Sequence, residues 1–386
     1  MKAVSEAWLT ESNQNGDEEV AYQERFADPD TGVRIMRLTS QPCINHTIYP
    51  ETPVSTRDGT RFIFARRPAL GTHPTFWIAD ISPRRCRQVT DEADAGAPII
   101  TPDNRWFFYS AGRSIRRMSP TSFEREEVFV VPSSIGSVGQ ILSVSHDGRR
   151  FLAPACRRPG LPGVAVIDIE RGRVDMVGEG RDVLNPHPQF SLDGQDRIMV
   201  QVNDGIEADE AGNILRLVGP MGASLHVLDA DGSHRSKLAA GSSAVERVQG
   251  HECWIPGENR VLTTLHRRKD PSSPWVQDRI VAVGPQDHEY HVVGEGEAFC
   301  HIHVSPDGRY WLSDSNRTAQ IFVGSLATGR HRLFCSSGST FGSAQYTHPH
   351  PFFLGDGRAI GWNSDVTGVP HVYYARIPDG FLGSLD

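Results

Sequence analysis

The sequence lacks the long apolar runs that cross membranes, because no window approaches the ~18 consecutive apolar residues that a spanning helix requires. It also lacks an excess of positive charge: 39 Lys and Arg against 47 Asp and Glu leave a net charge of −8. A chain with this balance is not expected to bind nucleic acid or an anionic membrane surface as its main partner. These absences predict a soluble protein.

Targeting signals and paired cysteines are also missing. The first twenty residues carry no basic start followed by an apolar stretch, so they do not resemble a secretory signal. The six cysteines lie far apart without CxxC spacing, which is more typical of unpaired thiols in a reducing compartment than of a disulfide framework. The sequence therefore predicts a cytoplasmic location.

Patterns that favour long helices are scarce. The 37 Gly and 26 Pro interrupt most stretches, and no segment keeps an i, i+3, i+4, i+7 apolar stripe through several turns. Short alternating or apolar runs flanked by turn residues recur instead, which is the pattern of β-strands. The fold class is predicted to be all-β.

One turn motif recurs seven times: a small residue or proline, then Asp-Gly or a relative, then an apolar run. Asp-Gly between apolar runs is a strong hairpin signal, because Gly accepts the positive φ of a tight turn. The acidic position of the motif falls at Asp58, Asp103, Asp147, Asp193, Glu258, Asp307 and Asp356. Repeats of 44–49 residues, with one longer interval of 65, indicate four strands per unit and a seven-bladed β-propeller.

The repeat also predicts the domain organisation. Residues 31–386 are expected to form the propeller, and residues 1–30 a polar, acidic N-terminal extension. A strand within residues 33–40 is expected to close the ring by joining the C-terminal blade. The long interval implies an insertion within residues 202–222. The alternative, a two-domain β-sandwich protein, would give such regular turn spacing only by chance.

Histidine occupies one equivalent position in four consecutive repeats. The position lies five residues before the small, apolar or proline residue at which each turn begins (Leu192, Pro256, Pro306 and Gly355). It is filled by His187, His251, His301 and His350. The first three repeats have Thr52, Ala97 and Ile141 there. The position opens the innermost strand of each blade, next to the propeller axis. We therefore expect the four imidazoles to converge at one mouth of the central channel.

The last two repeats add further donors. His348 and His350 are one residue apart, so both point to one face of an extended strand. His301 and His303 have the same relation, and Gln345 lies three residues before His348. Three imidazoles with an amide oxygen suit a first-row metal ion such as Mn, Fe, Ni or Zn. Alternatively, histidine is a consensus residue of the repeat, hydrogen-bonded across blades.

Three stretches of the chain resemble one known family. They are QYTHPHPFFLGDGRAIGWNSDVTGVPHVYYARIPD, GHECWIPG and NPHPQFS. The first is similar to the last blade of oligogalacturonate lyases, the seven-bladed propeller enzymes of pectin breakdown. The second resembles their His-Glu-Phe-Trp motif, and the third resembles another of their blade starts.

The resemblance implies roles for particular residues. It implies a Mn²⁺ ion, or another first-row divalent ion, bound by His301, Gln345, His348 and His350. The histidine of the His-Glu-Phe-Trp motif, which the family is thought to use as its base, corresponds to His251. One position departs from the family pattern, because Ser224 stands where the family has an arginine beside the reacting sugar. Arg247, close to His251 in the sequence, is a candidate to compensate.

The predicted function is a metal-dependent lyase that cleaves uronate-containing oligosaccharides by β-elimination. In this reaction a divalent cation binds the uronate carboxylate, and an imidazole with a near-neutral pKa removes the proton beside it. His187, His46 and Arg247 are the candidate substrate-binding residues, and the expected partner is an anionic oligosaccharide. The oligomeric state is not predicted. The alternative function is a non-catalytic propeller that binds a protein or sugar and uses its histidines structurally. The missing arginine favours either this alternative or a lyase with an altered substrate.

Overall fold

The computed structural model describes residues 17–19, 23–24, 27–82, 85–208, 214–216, 222–241 and 243–386. The short apolar runs form antiparallel strands that are grouped into small sheets in chain order. Three strands precede the first blade: β1 (Asp17–Glu19), β2 (Gln23–Glu24) and β3 (Met36–Arg37).

The first three blades each form a separate sheet. Blade one contains β4 (Ile44–Thr47), β5 (Arg61–Arg67), β6 (Thr75–Asp80) and β7 (Arg85–Gln88). Blade two contains β8 (Ile99–Ile100), β9 (Phe107–Ala111), β10 (Ser114–Met118) and β11 (Arg125–Val130). Blade three contains β12 (Ser137–Val138), β13 (Ser143–Val144), β14 (Arg150–Arg158), β15 (Leu161–Asp168) and β16 (Arg173–Val177).

Blades four and five share one eight-stranded sheet, joined by the pair Ala223 and Val248. Blade four contains β17 (Gln189–Phe190), β18 (Ile198–Asn203), β21 (Ala223–Leu228) and β22 (Ser236–Lys237). A separate hairpin of β19 (Glu207–Ala208) and β20 (Ile214–Arg216) lies between β18 and β21, within the predicted insertion. Blade five contains β23 (Glu246–Trp254), β24 (Val261–Arg267), β25 (Val276–Val283) and β26 (His291–Glu295).

Blade six contains β27 (Phe299–Val304), β28 (Tyr310–Ser315), β29 (Gln320–Ser325) and β30 (His331–Ser336). Blade seven contains β31 (Phe352–Phe353), β32 (Ala359–Ser364) and β33 (His371–Arg376). The helices within the described residues are two 3-10 turns, Gln345–Thr347 and Leu382–Ser384. Neither is long and apolar enough to cross a membrane.

Blade seven is completed by a strand from the start of the chain. β3 pairs with β33, with Met36 opposite Tyr374 and Arg37 opposite Tyr373. The amide of Leu38 donates to the carbonyl oxygen of Val372 at 2.8 Å. The predicted seven-bladed fold and its closure by an N-terminal strand are thus confirmed. β2 pairs with β3, and β1 lies along β7. The division of the chain at residue 30 stays a prediction.

The repeated Asp-Gly turns have a common hydrogen bond. In blade three, the Ser145 hydroxyl donates to Oδ1 of Asp147 at 2.5 Å, and Gly148 follows with φ 73°. In blade six, Ser305 donates to Asp307 at 2.5 Å in the same way. The carboxylate therefore fixes the turn, and the glycine accepts a backbone conformation that other residues rarely adopt.

Six apolar clusters form the core, and together they span the junctions between the blades. In one of them, the buried indole of Trp311 lies against Gly324, where an added Cβ would come within 2.2 Å of the ring. Its Nε1 donates to the carbonyl oxygen of Val293 at 2.9 Å, which connects β28 to the neighbouring blade. This packing holds the blades side by side, so that their innermost strands surround the axis.

Candidate metal centre and active-site cavity

The four histidines that share one repeat position lie at the inner ends of blades four to seven. His251 belongs to β23 and His301 to β27, while His187 and His350 stand just before β17 and β31. His187 and His350 also share an unusual backbone, with φ of 40° and 44°. Positive φ is uncommon in a residue with a side chain, and such strain is concentrated at functional sites.

The imidazoles converge, as the repeat register predicts. The ring centroid of His301 lies 4.5 Å from that of His251 and 4.0 Å from that of His350. His348 joins them, with its ring 5.5 Å from His301. Tyr49 of blade one lies among them, with its ring 5.3 Å from His350. Tyr49 was not predicted from the sequence, although it lies only three residues before the repeat position of the first blade.

The ligand set implied by the family resemblance is brought together at this point. One ligand atom from each of His301, His348 and His350 lies within 4.8 Å of the others. Oε1 of Gln345 lies 3.1 Å from Nε2 of His350. His348 donates from Nε2 to the carbonyl oxygen of Gly342 at 2.7 Å. Its Nδ1 is buried without a hydrogen-bond partner among the described residues. An orphaned nitrogen beside two other imidazoles fits a metal ligand.

The protonation of two of these rings, His348 and His350, also suits metal binding. Burial, followed by the charge of His301, lowers the pKa of His350 well below its usual range. Burial is also the main cause that lowers the pKa of His348. Imidazole must be neutral to bind a metal. Both rings are therefore ready to bind at neutral pH.

His301 is oriented by a buried carboxylate. Its Nδ1 lies 2.9 Å from Oδ2 of Asp314, which is inaccessible to solvent. Burial by itself would lower the pKa of His301, but the negative charge of Asp314 outweighs it and raises that pKa well above 6.5. A metal-binding histidine commonly donates its other ring N–H to such a carboxylate. Asp314 was not predicted from the sequence, because it is in the second strand of blade six and carries no repeat signal.

A second group of donors overlaps the first. His251, Cys300 and His301 offer ligand atoms within 4.8 Å of one another, and Sγ of Cys300 lies 3.8 Å from Nδ1 of His251. Burial, followed by the charges of His301 and His187, lowers the pKa of His251 well below 6.5. His251 is therefore a neutral imidazole next to the predicted ligands.

A cavity of about 660 Å³ opens beside this cluster, within the range of small-molecule sites. Among the described residues that line it, Arg67 is the only arginine or lysine. The predicted site residues that line it are His46, His187, His251, Gln345 and His350. The cavity thus combines the neutral imidazole of His251 with an edge of the candidate metal site.

The other two predicted imidazoles have different environments. His187 lies 3.1 Å from Oε1 of Glu252 through its Nδ1. Burial lowers the pKa of His187, but Glu252 raises it more, so the net shift is upward. His46 donates from Nδ1 to the carbonyl oxygen of Thr47 at 2.9 Å, and burial lowers its pKa to about 4. His187 is thus suited to carry a positive charge, whereas His46 is neutral.

Two glutamates at this end of the channel were also missed by the sequence analysis. Glu252 is fully buried, and its Oε2 has no partner among the described residues. Burial, followed by the charge of Glu252, raises the pKa of Glu51 well above its usual range. Glu51 is therefore held protonated beside the His187–Glu252 pair.

The structure places Arg247 away from the lining of this cavity. Its guanidinium lies against Trp275, with Cζ 4.2 Å from a ring centroid. Ser224 is fully buried in β21, and its hydroxyl lies 3.2 Å from Nε2 of His226. The position of the family arginine is therefore occupied by the short side chain of Ser224.

No protein-family profile matches the chain. Two curated relatives do, an oligogalacturonide lyase from Pectobacterium atrosepticum and an oligogalacturonate lyase from Dickeya dadantii. Each is 21% identical to this chain and covers 92% of it and 96% of the relative. The family resemblance drawn from the three sequence stretches is confirmed by these matches.

Solved structures agree with the fold. An oligogalacturonate lyase in complex with manganese superposes with a TM-score of 0.76 at 18% identity, covering 95% of this chain and 98% of the other. An oligogalacturonate lyase from Vibrio parahaemolyticus gives a TM-score of 0.75 at 18% identity, covering 96% and 100%. The β-propeller domain of a trilobed protease from Pyrococcus furiosus gives 0.52 at 11% identity, covering 86% and 95%.

Proposed function

We propose that the protein is a metal-dependent lyase that cleaves oligogalacturonides and related uronate oligosaccharides by β-elimination. The observation that carries the proposal is the convergence of His301, His348, His350 and Gln345 beside the neutral imidazole of His251. The curated relatives that cover nine-tenths of the chain are lyases of oligogalacturonides. The cavity beside the cluster gives an oligosaccharide access to it.

The donor set fits Mn²⁺, and other first-row divalent ions can use the same ligands. His301, His348 and His350 would supply nitrogen, and Gln345 an amide oxygen. When bound, such an ion acts as a Lewis acid that stabilises the charge developing on a uronate carboxylate. The chain's own contribution is to fix the ligands, through Asp314 behind His301 and the carbonyl of Gly342 behind His348.

His251 is assigned to proton abstraction. The reaction breaks the C5–H bond beside the carboxylate and the C4–O bond, and forms a C4=C5 double bond. The proton passes to the lone pair of His251, and the departing oxygen takes up a proton in turn. Its lowered pKa keeps His251 unprotonated, and its ring lies 4.5 Å from that of His301, one of the residues that would hold the ion.

The overlapping donor group offers a different role for His251. With Cys300 and His301, it could itself be a ligand. We favour the base, because Gln345 already supplies a fourth donor to the other set and Nδ1 of His348 has no other partner among the described residues. A thiolate is also a softer ligand than Mn²⁺ prefers.

Substrate binding is assigned to His187, His46 and Arg247. His187 and His46 line the cavity, where a protonated His187 would attract an anionic sugar. Arg247 lies outside the lining and would contact a more distant part of the oligosaccharide. We also propose a cytoplasmic location, which the separated cysteines of the sequence support.

The second candidate function is a non-catalytic propeller that binds a protein or sugar. The specific observation in its favour is Ser224, buried and bonded to His226 where the family has an arginine. In that case the histidines would be structural, in the way that His46 bonds the carbonyl of Thr47.

Chelator-treated protein supplied with oligogalacturonides, with and without added Mn²⁺, tests the proposal. A lyase generates a conjugated unsaturated uronate, which is followed by its ultraviolet absorbance. We expect absorbance to rise only with metal, and not with the His348→Ala variant. If metal-loaded wild-type protein forms no unsaturated product from any uronate oligomer, the non-catalytic function is favoured.

A further inference from the structure

Two arginines lie against one tryptophan on blade five. Cζ of Arg247 is 4.2 Å, and Cζ of Arg268 4.4 Å, from a ring centroid of Trp275. Guanidinium groups stack on aromatic rings because they are planar and weakly hydrated. The indole thus holds two positive charges together.

Both side chains are also held by contacts with other residues. Arg268 donates from Nε to the carbonyl of Ala244 at 2.7 Å and from Nη1 to that of Pro271 at 2.5 Å. The aliphatic part of Arg247 lies over Gly222, where an added Cβ would fall 2.4 Å from Cβ of Arg247. This pre-organised arrangement lowers the entropy lost when an anion binds.

Neither guanidinium has an acidic partner among the residues that the structure describes. The neighbouring Arg267, by contrast, pairs with Asp278 at 2.8 Å. Burial and the charge of Arg268 lower the pKa of Arg247, so the two charges repel each other. An anion bound beside both guanidinium groups would relieve this repulsion and accept hydrogen bonds from the N–H groups that have no acceptor among the described residues.

A row of polar side chains connects this pair with the cavity. Arg247 is opposite His266 across β23 and β24, and Nε2 of His266 lies 2.9 Å from Oε1 of Gln277. Gln277 in turn bonds Gln249, which lines the cavity. His251 is four positions after Arg247 in β23, a distance of at most about 13 Å at the usual strand rise.

We infer that Arg247 and Arg268 form a subsite for a uronate carboxylate other than the one at the metal centre. The identity of the anion rests on the proposed function. A guanidinium binds a carboxylate through two parallel N–H···O bonds, which Lys269 beside it cannot provide. The subsite would recognise the acidity of a neighbouring sugar and favour chains of free uronates over their methyl esters.

The test measures binding instead of turnover. Trigalacturonate is titrated by calorimetry into chelator-treated wild-type protein and into Arg247→Gln, Arg268→Gln and Lys269→Gln. Losing a charged hydrogen-bond donor should weaken binding by about 10-fold or more in the two arginine variants. Lys269 is exposed on the same loop, so Lys269→Gln removes the same charge and should change affinity by less than about 3-fold. Arg247→Lys, which keeps the charge, should recover part of the affinity.

Trimethyl trigalacturonate provides the second arm. It lacks carboxylates, so the arginine variants should bind it as wild-type protein does. Equal affinity of Arg247→Gln and Lys269→Gln for trigalacturonate would overturn the inference, as would a wild-type protein that does not bind it. Thermal unfolding of each variant identifies a folding defect. If Arg247→Gln is destabilised, the binding affinity of Arg268→Gln decides the test. The result is separate from the lyase assay, which requires metal and product formation.

Discussion

Asp314 contacts both the ring and the backbone of His301. Its Oδ2 lies 2.9 Å from Nδ1, and its Oδ1 accepts the His301 amide at 2.8 Å. Both residues are buried, so water cannot replace either contact. Because Nδ1 is engaged, Nε2 is the nitrogen that His301 can offer to a metal.

Replacing this carboxylate should weaken metal binding without removing a ligand. Asp314→Asn leaves an amide that can present N–H to the ring and so favour the wrong tautomer of His301. We expect Mn²⁺ affinity to fall about 10–100-fold, measured by competition with a chelating indicator. Glu258→Gln, an exposed carboxylate in a blade-five turn, is the control and should bind metal normally. Unchanged affinity in Asp314→Asn would mean that Asp314 does not set the tautomer of His301 for metal binding.

His348→Ala should remove the metal altogether. The substitution deletes the nitrogen that has no other partner in the described structure, and leaves two imidazoles and one amide. Elemental analysis of purified wild-type protein should give close to one first-row ion per chain, and the variant almost none. His73→Ala, an exposed imidazole of blade one, should retain the ion. Full metal content in His348→Ala would refute the ligand assignment.

His251→Ala should separate catalysis from metal binding. If His251 is the base, turnover should fall by at least ~10²-fold, the usual loss for a general base, while metal content stays at the wild-type level. Steady-state kinetics and elemental analysis on the same preparation give both quantities. Loss of metal together with activity would instead make His251 a ligand, alongside Cys300.

The buried ring of His371 in β33 should make the closure of the propeller by the N-terminal strand sensitive to acid. The hydroxyl of Thr39 donates to Nδ1 of His371 at 3.0 Å, and burial lowers the pKa of His371 to about 4. In the unfolded chain the pKa of His371 is near 6.5, so as the pH falls His371 is protonated in the unfolded state before it is protonated in the folded state. The contribution of His371 to the free energy of unfolding is therefore complete above pH 6.5. It is lost between pH 6.5 and about 4, and the loss is of order 2 kcal/mol.

Denaturant unfolding of wild-type protein and His371→Gln across this pH range checks the prediction. The variant has no titrating ring, so its stability should depend less steeply on pH between 6.5 and 4. Parallel curves for the two proteins would show that His371 does not contribute to acid unfolding.

The part of the site that repeats could be predicted from the sequence. Equivalent positions of neighbouring blades lie at one depth, so the shared turn offset was enough to bring His187, His251, His301 and His350 to the same end of the channel. The same arithmetic predicted the seven blades, and the short strand before the first blade predicted the closure. These inferences need only periodicity, which a single sequence carries.

The supporting residues could not be predicted in this way. Asp314 faces His301 across a β-bulge between β27 and β28, and an irregular register cannot be read from alternation. Glu252 and Tyr49 carry no repeat signal, and their importance follows only from distances between blades. Arg247 was selected for its closeness in sequence to His251, whereas the fold turns it towards Trp275.

All four candidate ligands belong to residues 301–350, in blade six and the entrance to blade seven. Blade seven would therefore be held to the rest of the ring at two places. At its inner end the ion would join it to blade six, and at its outer end β3 pairs with β33. A ligand that binds only the folded state stabilises it by mass action, and here that stabilisation would act on the blade where the ring is sealed. Metal binding would then contribute to the stability of the closed ring as well as to catalysis.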